Sequence, residues 1–476
     1  MMSEMYNPVT ENIVNELRRI VGEKYVLYGD ADALEPYSHD ETPDPKYAHM
    51  PEVVVRPGSV EEIAEIMKLA NRERIPVTPR GAGSGLSGGA VPVYGGIVLL
   101  IDRLNRILEI DRENMMVVVE PSVVTNEING ALAEHGLFYP GYPMSLETCF
   151  IGGNVAENAG GGKAIKYGVT SRYVLGLEMV TPTGEIVQLG GKRVKDVTGY
   201  NLVQLMVGSE GTLGIFTKII LKIGPAPRAT VDLLCLFKTP AEAIATVPRI
   251  MTQGGIVPTA VEFMDQQCVR ASCDYLNESI PYQDAGAMLI ITVEGQDEEQ
   301  VERDYDLIGE LAMQSGAFEV YVADNSTTSE RIWKVRRNIA EAFNALTSDQ
   351  CNDDIVVPMA SIPALVAELQ ALGKKYAVQV PAFGHAGDGN MHVRVQKNPA
   401  WSQAQWRETI PRILHDLYTI TARLGGTVSG EHGIGNKRKD YVGYVLSPAV
   451  IDMHRAVKKA LDPNLILNPG KIFDMA

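Results

Sequence analysis

Residues 79–89 read Pro79-Arg80-Gly81-Ala82-Gly83-Ser84-Gly85-Leu86-Ser87-Gly88-Gly89, with five glycines in the nine positions after Arg80. A backbone this bare adopts positive φ without steric cost and can turn successive N–H groups to one side, making a nest for an anion. Glycine and serine density alone also suits an ordinary surface turn, so the surroundings must decide. The apolar stretch Ile75-Pro76-Val77 leads in from one side. The segment Gly83-Ser84-Gly85-Leu86-Ser87-Gly88 fits the dinucleotide spacing G-x-G-x-x-G. That motif needs a helix directly after it, on whose N-terminus the pyrophosphate rests. The chain instead continues Gly89-Ala90-Val91-Pro92-Val93-Tyr94-Gly95-Gly96, which cannot open a helix. No Gly-Lys-Ser/Thr follows, so a Walker loop fails as well. A pyrophosphate nest made by the loop alone, between strands, is what remains.

Further glycine-rich blocks follow in order. They are Pro140-Gly141-Tyr142-Pro143, Ile151-Gly152-Gly153-Asn154-Val155-Ala156-Glu157-Asn158-Ala159-Gly160-Gly161, Lys166-Tyr167-Gly168, Asp196-Val197-Thr198-Gly199-Tyr200 and Gly208-Ser209-Glu210-Gly211-Thr212-Leu213-Gly214-Ile215. Together with the first loop, this series resembles the FAD-binding domain of the vanillyl-alcohol-oxidase type. The resemblance implies an α+β protein: a two-part FAD-binding domain plus an α+β cap that carries the substrate on an antiparallel sheet. It implies FAD contacts at Pro79, Arg80, Gly81, Ala82, Gly83, Ser84, Gly85, Leu86, Ser87, Pro143, Gly152, Gly153, Asn158, Gly160, Gly161, Tyr167, Gly168, Glu210, Gly214, Ile215 and Asn468. Covalent relatives carry a flavin-linking histidine where this loop has Ser84 and Gly85, so the FAD is expected to be noncovalent.

At 476 residues the chain predicts two domains rather than one core. We expect an FAD-binding domain over 1–227, a cap with the metal site over 228–424, and a segment over 425–476 returning to the first domain. Lys and Arg number 43 against 59 Asp and Glu, a net charge of −16. That balance argues against nucleic acid or an anionic membrane as partner, while leaving room for a local positive site for an anionic substrate. The five cysteines, Cys149, Cys235, Cys268, Cys273 and Cys351, form no C-x-x-C pair. Iron–sulfur and zinc-ribbon readings fall away, and a reducing, cytoplasmic setting is expected. The first residues show no signal pattern, and no apolar run approaches the length of a membrane span.

Periodicity predicts a helix over 8–22, a loop over 36–49, a strand over 52–56, and a helix opened by the capping box Ser59-Val60-Glu61-Glu62. Strands are expected over 97–101, 106–110 and 116–120, a helix over 125–135, a hairpin over 177–189 and a strand pair over 213–223. Gly224-Pro225-Ala226-Pro227 reads as a boundary. Beyond it, strands over 233–237, 288–293, 318–323 and 354–357 alternate with helices over 240–252, 297–315, 328–347 and 361–376. This fits helices on one face of a mostly antiparallel sheet. Helices over 400–424 and 447–461 follow.

The second informative stretch is Gly384-His385-Ala386-Gly387-Asp388-Gly389-Asn390-Met391-His392, followed later by Gly430-Glu431-His432-Gly433. The two histidines cannot share a helix face, but a Gly-Asp-Gly turn can aim both imidazoles at one point. With the Glu431 carboxylate they form a set of two nitrogens and one oxygen, the open arrangement of a catalytic divalent metal. The plainer reading is a pair of structural histidines in a tight turn. These blocks, with Asn468-Pro469-Gly470-Lys471-Ile472-Phe473, resemble the metal-dependent, FAD-linked D-2-hydroxyacid dehydrogenases. That family includes D-lactate dehydrogenases, the glycolate oxidase FAD subunit and D-2-hydroxyglutarate dehydrogenase.

The resemblance implies His385, His392 and Glu431 as ligands of zinc, iron or manganese. It implies His432 as general base and Arg336 as the binder of the substrate carboxylate. Two positions depart from hydroxyglutarate-specific members: Asn352 replaces a lysine and Arg394 an asparagine. The first favours a small acid such as D-lactate or glycolate; Arg394 could itself bind a carboxylate. Oxidising such an acid removes a proton from oxygen and a hydride from carbon. Metal and histidine suit the first task, and flavin suits the second. No cluster is encoded, so the electrons must pass to a quinone or an acceptor protein such as an electron-transfer flavoprotein, in some relatives within a bifurcating complex. A metal hydrolase with a merely structural glycine loop, and a noncatalytic FAD subunit, are the competing readings.

Overall fold

Strand Val77–Arg80 runs straight into the glycine loop, and strand Ile97–Leu100 leaves it in parallel, Val77 facing Ile97 and Arg80 facing Leu100. No helix intervenes, as the failed dinucleotide motif demands. The computed structural model describes residues 5–475 except Pro43, Asp44, Tyr142, Ser279, Asp324 and Ser348. Tyr142 of the Pro-Gly-Tyr-Pro block and part of the 36–49 loop therefore lie outside the described residues. The chain forms two units, one of residues 1–160, 169–226 and 431–476, the other of 161–168 and 227–430.

The first unit is built on a four-stranded sheet, ordered Val26–Tyr28, Val53–Val55, Ile97–Leu100, Val77–Arg80. Its core joins Val53, Val55, Val77, Ile97 and Leu99 to Ile63, Ile66, Met67 and Ala70 of helix Val60–Glu73. Ser59 caps that helix by accepting from Glu62 N–H. The expected capping box is incomplete, because the Glu62 carboxylate accepts from Gly58 N–H at 2.6 Å rather than from Ser59. Helix Glu11–Val21, capped by Thr10, adds Ile13, Val14, Leu17 and Val21 to the same core. A second, antiparallel sheet is ordered Ile107–Asp111, Met116–Val119, Ile215–Lys222, Val174–Val180, Ile186–Gly190. Residues 213–223 give one strand here rather than a pair.

The C-terminal segment closes this unit. Val77 N–H donates to Ile466 and Asn468 N–H to Val77, so the segment lies along the strand that feeds the glycine loop. Lys458 is buried beneath it, donating to Asp462, Thr212 and Leu467 oxygens at 2.6–2.7 Å.

The second unit carries a seven-stranded sheet, antiparallel throughout, ordered Ala317–Ala323, Ala229–Phe237, Ala287–Gly295, Ala260–Asp265, Ala382–His385, Asn390–Gln396, Gln350–Val356. Strand Ala260–Asp265 and helix Gln266–Leu276 escaped the pattern reading, since Ala-Val-Glu-Phe-Met-Asp is short and interrupted by a charge. Asp265 both ends the strand and caps the helix, accepting from Cys268 N–H at 2.8 Å. The single helix expected over 328–347 is two, Ser326–Arg337 and Ile339–Leu346, meeting at Asn338, whose side chain turns back to the Lys334 carbonyl.

Residues 161–168 pack with this second compact unit. Glu294 holds them: Tyr167 Oη donates to its carboxylate, and Lys163 and Lys166 pair with the same group. Residues 425–430 also belong here, through a bridge between Thr427 and Val356. Among the described residues no helix is long and apolar enough to cross a membrane, and all five cysteines are free thiols.

Candidate active site

Cross-strand register gathers the second unit's chemistry on one face of its sheet. Directly paired residues of antiparallel neighbours point the same way. Glu262 pairs with His385, His385 with Asn390, Phe383 with His392, His392 with Asp354 and Arg394 with Asn352. The Gly-Asp-Gly turn between the last two strands is what lets both histidines face one region. Gly389 has φ +88°, and a Cβ on Gly384 would lie 2.2 Å from the Asn390 carbonyl oxygen. The two imidazoles stand edge to face, centroids 5.4 Å apart.

Each histidine has a carboxylate near Nδ1. His385 is 2 % exposed, and its Nδ1 lies 2.6 Å from Glu262 Oε1. Glu262 is wholly buried. Burial alone would raise its pKa, yet Arg336 and His385 together hold it down at about 2. An ionised carboxylate only accepts, so His385 carries its proton on Nδ1 and presents Nε2 as the electron-pair donor. His392 Nδ1 is 4.0 Å from Asp354 Oδ1, and its ring packs on Phe383 at 5.2 Å. Asp354 is itself buried, and it accepts from Asn390 Nδ2, Ser429 Oγ and Gly430 N–H at 2.6–2.9 Å. The chain therefore leaves this unit, one residue before Glu431, at the carboxylate that pairs with His392.

The two candidate arginines differ. Arg336 Nη2 makes a buried ion pair with Glu262 Oε2 at 2.6 Å, and its guanidinium stacks on Phe383. Its charge is already balanced within the protein. Arg394 is 7 % exposed, and its Nη1 donates to two neutral amide oxygens, Gln350 Oε1 and Asn344 Oδ1, both at 3.1 Å. Among the described residues no carboxylate forms an ion pair with it, and burial lowers its pKa to about 10.

In the first unit, the glycine loop has the nest geometry. Gly83 and Gly88 take positive φ. Among the described residues, the backbone N–H groups of 81–87 donate to no protein acceptor, while Gly88 N–H donates to Asp40 at 2.7 Å. Such a run of undonated amides suits a pyrophosphate. The loop is braced from behind. Arg80 donates to the His39 and Pro36 carbonyls, and Asn468 Nδ2 to the Gly89 and Glu210 carbonyls. Of the other expected cofactor residues, Gly152 is packed so that a Cβ would meet Pro121 at 2.6 Å, and Gly214 would meet Met179 at 1.9 Å. Gly153 has open space where a Cβ would stand. Asn158 ends helix Ile151–Glu157 in the left-handed region and accepts from Ser171 N–H. The Tyr167 hydroxyl donates to Glu294. Glu431 and His432 lie in this unit, Glu431 Oε1 standing 3.8 Å from His432 Nε2.

Sequence reasoning missed Glu262, Asp354 and Asn390. The signal for the first was a lone carboxylate inside an apolar strand, which must be paired to be buried.

Residues 51–190 match the family described as FAD binding domain, and residues 226–472 match FAD linked oxidases, C-terminal domain. The chain is 39% identical over 479 residues to a D-lactate dehydrogenase of Anaerostipes hadrus, covering 99% of each. It is 37% identical to glycolate oxidase subunit GlcD of Bacillus subtilis (strain 168), covering 98% of this chain and 97% of that one. In fold it is similar to p-cresol methylhydroxylase with substrate bound, at a TM-score of 0.79, 19% identity and 98% coverage of both chains.

Proposed function

Because the chain belongs to the FAD-linked oxidases, we propose that it oxidises a small D-2-hydroxy acid, D-lactate first and glycolate second, to the 2-oxo acid. The observation that carries this reading is His385. A carboxylate on Nδ1 of a buried imidazole orients the ring and raises the donor strength of Nε2, the usual support of a metal-ligating histidine. His392 stands beside it, and Glu431 follows the Gly430 that Asp354 holds. His385, His392 and Glu431 form the ligand set we assign to a divalent zinc, iron or manganese. The undonated amides of 81–87 form the seat for the FAD pyrophosphate.

When bound, the flavin would supply an acceptor for the electron pair and hydrogen of the substrate carbon, and the cation would supply the positive field that makes the substrate hydroxyl a stronger acid. His432 takes the hydroxyl proton at a ring nitrogen. A carboxylate beside a dication is held ionised and is a poor base, so we place Glu431 on the cation and leave the proton to His432. Arg394, the candidate arginine without an ion pair, suits the substrate carboxylate better than Arg336, which faces Glu262. Asn352 stands opposite Arg394 where hydroxyglutarate-type relatives have lysine, which favours the smaller acids. Electrons then pass to a quinone or to an acceptor protein of the electron-transfer-flavoprotein kind. The five free thiols suit a reducing, cytoplasmic setting.

The test is anaerobic bleaching of the purified yellow protein with a panel of acids. D-lactate should bleach the flavin fastest, with L-lactate inert. Faster bleaching by D-2-hydroxyglutarate would overturn the substrate assignment, and no bleaching by any acid would make the chain a noncatalytic flavin subunit.

A further inference from the structure

Glu210 lies in the left-handed region at φ 51°, within the turn leading to strand Ile215–Lys222. Both its carboxylate oxygens are used on main chain of the C-terminal segment. Oε1 accepts from Ile434 N–H at 2.7 Å and Oε2 from Gly435 N–H at 2.6 Å. These amides are the second and third after His432. Arg438 Nη1 donates to the Gly433 carbonyl at 3.1 Å. Gly433 takes φ +83°, and a Cβ there would fall 1.8 Å from Glu157 Oε2 and 3.2 Å from Glu210 Oε1. Two buried carboxylates thus pack on the turn that follows His432. Glu157 reaches the other way too: its Oε1 accepts from Ser87 Oγ at 3.3 Å, and the Ser87 carbonyl accepts from Lys437 N–H at 3.0 Å. The pair touches the glycine loop on one side and the His432 turn on the other.

Resting on the reading of His432 as base, we propose that Glu210 and Glu157 are positioning residues for His432. Glu210 clamps the turn, and Glu157 sets it in register with the loop that seats the FAD pyrophosphate. A bidentate, charge-assisted clamp on two adjacent amides fixes the orientation of a turn as well as its place. A reacting group displaced by ~1 Å loses on the order of 10²-fold in rate. The sequence block Gly208–Ile215 reads as a cofactor motif, and the Glu210 side chain gives it this second task.

The test is a double-mutant cycle. Glu210→Gln offers one oxygen and one NH₂ where two N–H groups point, so one bond is lost and two donors face each other. The variant should keep its flavin and a KM within about threefold, while anaerobic flavin reduction by D-lactate slows by about 10- to 100-fold. In a His432→Ala background the same change should cost nothing further, because a positioning residue acts only through what it positions. Glu157→Gln, which preserves shape, should show the same pattern with a smaller effect, and carries the cycle if Glu210→Gln does not fold. Wild-type reduction by both glutamate variants, an equal loss in the His432→Ala background, or loss of flavin from Glu210→Gln overturns the positioning role. Undiminished reduction by His432→Ala alone overturns the base assignment beneath it, and the positioning role with it.

Discussion

Glu262→Gln separates two effects that one buried carboxylate combines. Glu262 is wholly buried, with Arg336 Nη2 and His385 Nδ1 each 2.6 Å away. Removing its charge leaves the Arg336 guanidinium buried without a counterion, and breaking a buried pair in this way costs about 3–5 kcal/mol. It also removes the acceptor that fixes the His385 tautomer, which costs about 10- to 100-fold in metal affinity. The double variant Glu262→Gln/Arg336→Met removes both charges. It should recover most of the stability, since an apolar replacement of a buried pair is often neutral, but none of the metal affinity. Acid pH adds a third check. The folded carboxyl is depressed from 4.5 to about 2, so its contribution is complete above about 4.5 and fades as pH falls towards 2. The stability gap between wild type and variant should therefore narrow on acidification. The assays are thermal unfolding across pH and metal content after dialysis against a graded chelator. A double variant that regains metal along with stability would refute the ligand-orienting role, and a Glu262→Gln protein that unfolds with wild type would refute the ion-pair argument.

Four further outcomes follow from the same geometry. Gly83→Val places a branched side chain at φ +75° with its Cβ 2.2 Å from Arg80 Nη2, so the protein should purify colourless; folded, fully yellow protein would dismiss the nest, and acid precipitation of wild type should release the flavin. His432→Ala should keep flavin and metal and lose about 10²- to 10⁴-fold in flavin reduction, whereas Glu431→Ala should lose metal; the opposite pattern in metal analysis reverses the two roles. Arg394→Gln should raise KM for D-lactate by about tenfold or more, on the order of a lost charge-assisted hydrogen bond, with flavin content unchanged; an unaltered KM would return the carboxylate to Arg336. Lys458→Ala leaves Asp462 buried without its partner and should lower the unfolding free energy by about 3–5 kcal/mol, seen as an earlier thermal transition; a change below 1 kcal/mol would mean water or Ile466 and Leu467 amides suffice for Asp462.

What the sequence showed and what it hid divide along one physical line. The glycine loop was legible because its requirement is local: positive φ at Gly83 and Gly88 and bare amides between them need only the residues themselves. The two histidines were legible for the same reason, a short turn with glycine where φ is positive. Their supports were not. Glu262 lies 123 residues from His385, and nothing in Ala260-Val261-Glu262-Phe263-Met264 says which base will meet it. Arg336, expected to bind the substrate carboxylate, has a counterion that comes from that same unrecognised strand. The reading of Glu210 was incomplete in the same way, since its two amide donors stand 224 and 225 residues further along the chain. Yet each hidden partner left a mark. A carboxylate in an apolar strand is costly unless paired. A chain with one histidine that needs orienting and one arginine that needs a counterion makes Glu262 the residue that answers both. Charge inside an apolar run is thus better read as a long-range contact awaiting its partner than as an interruption of a strand.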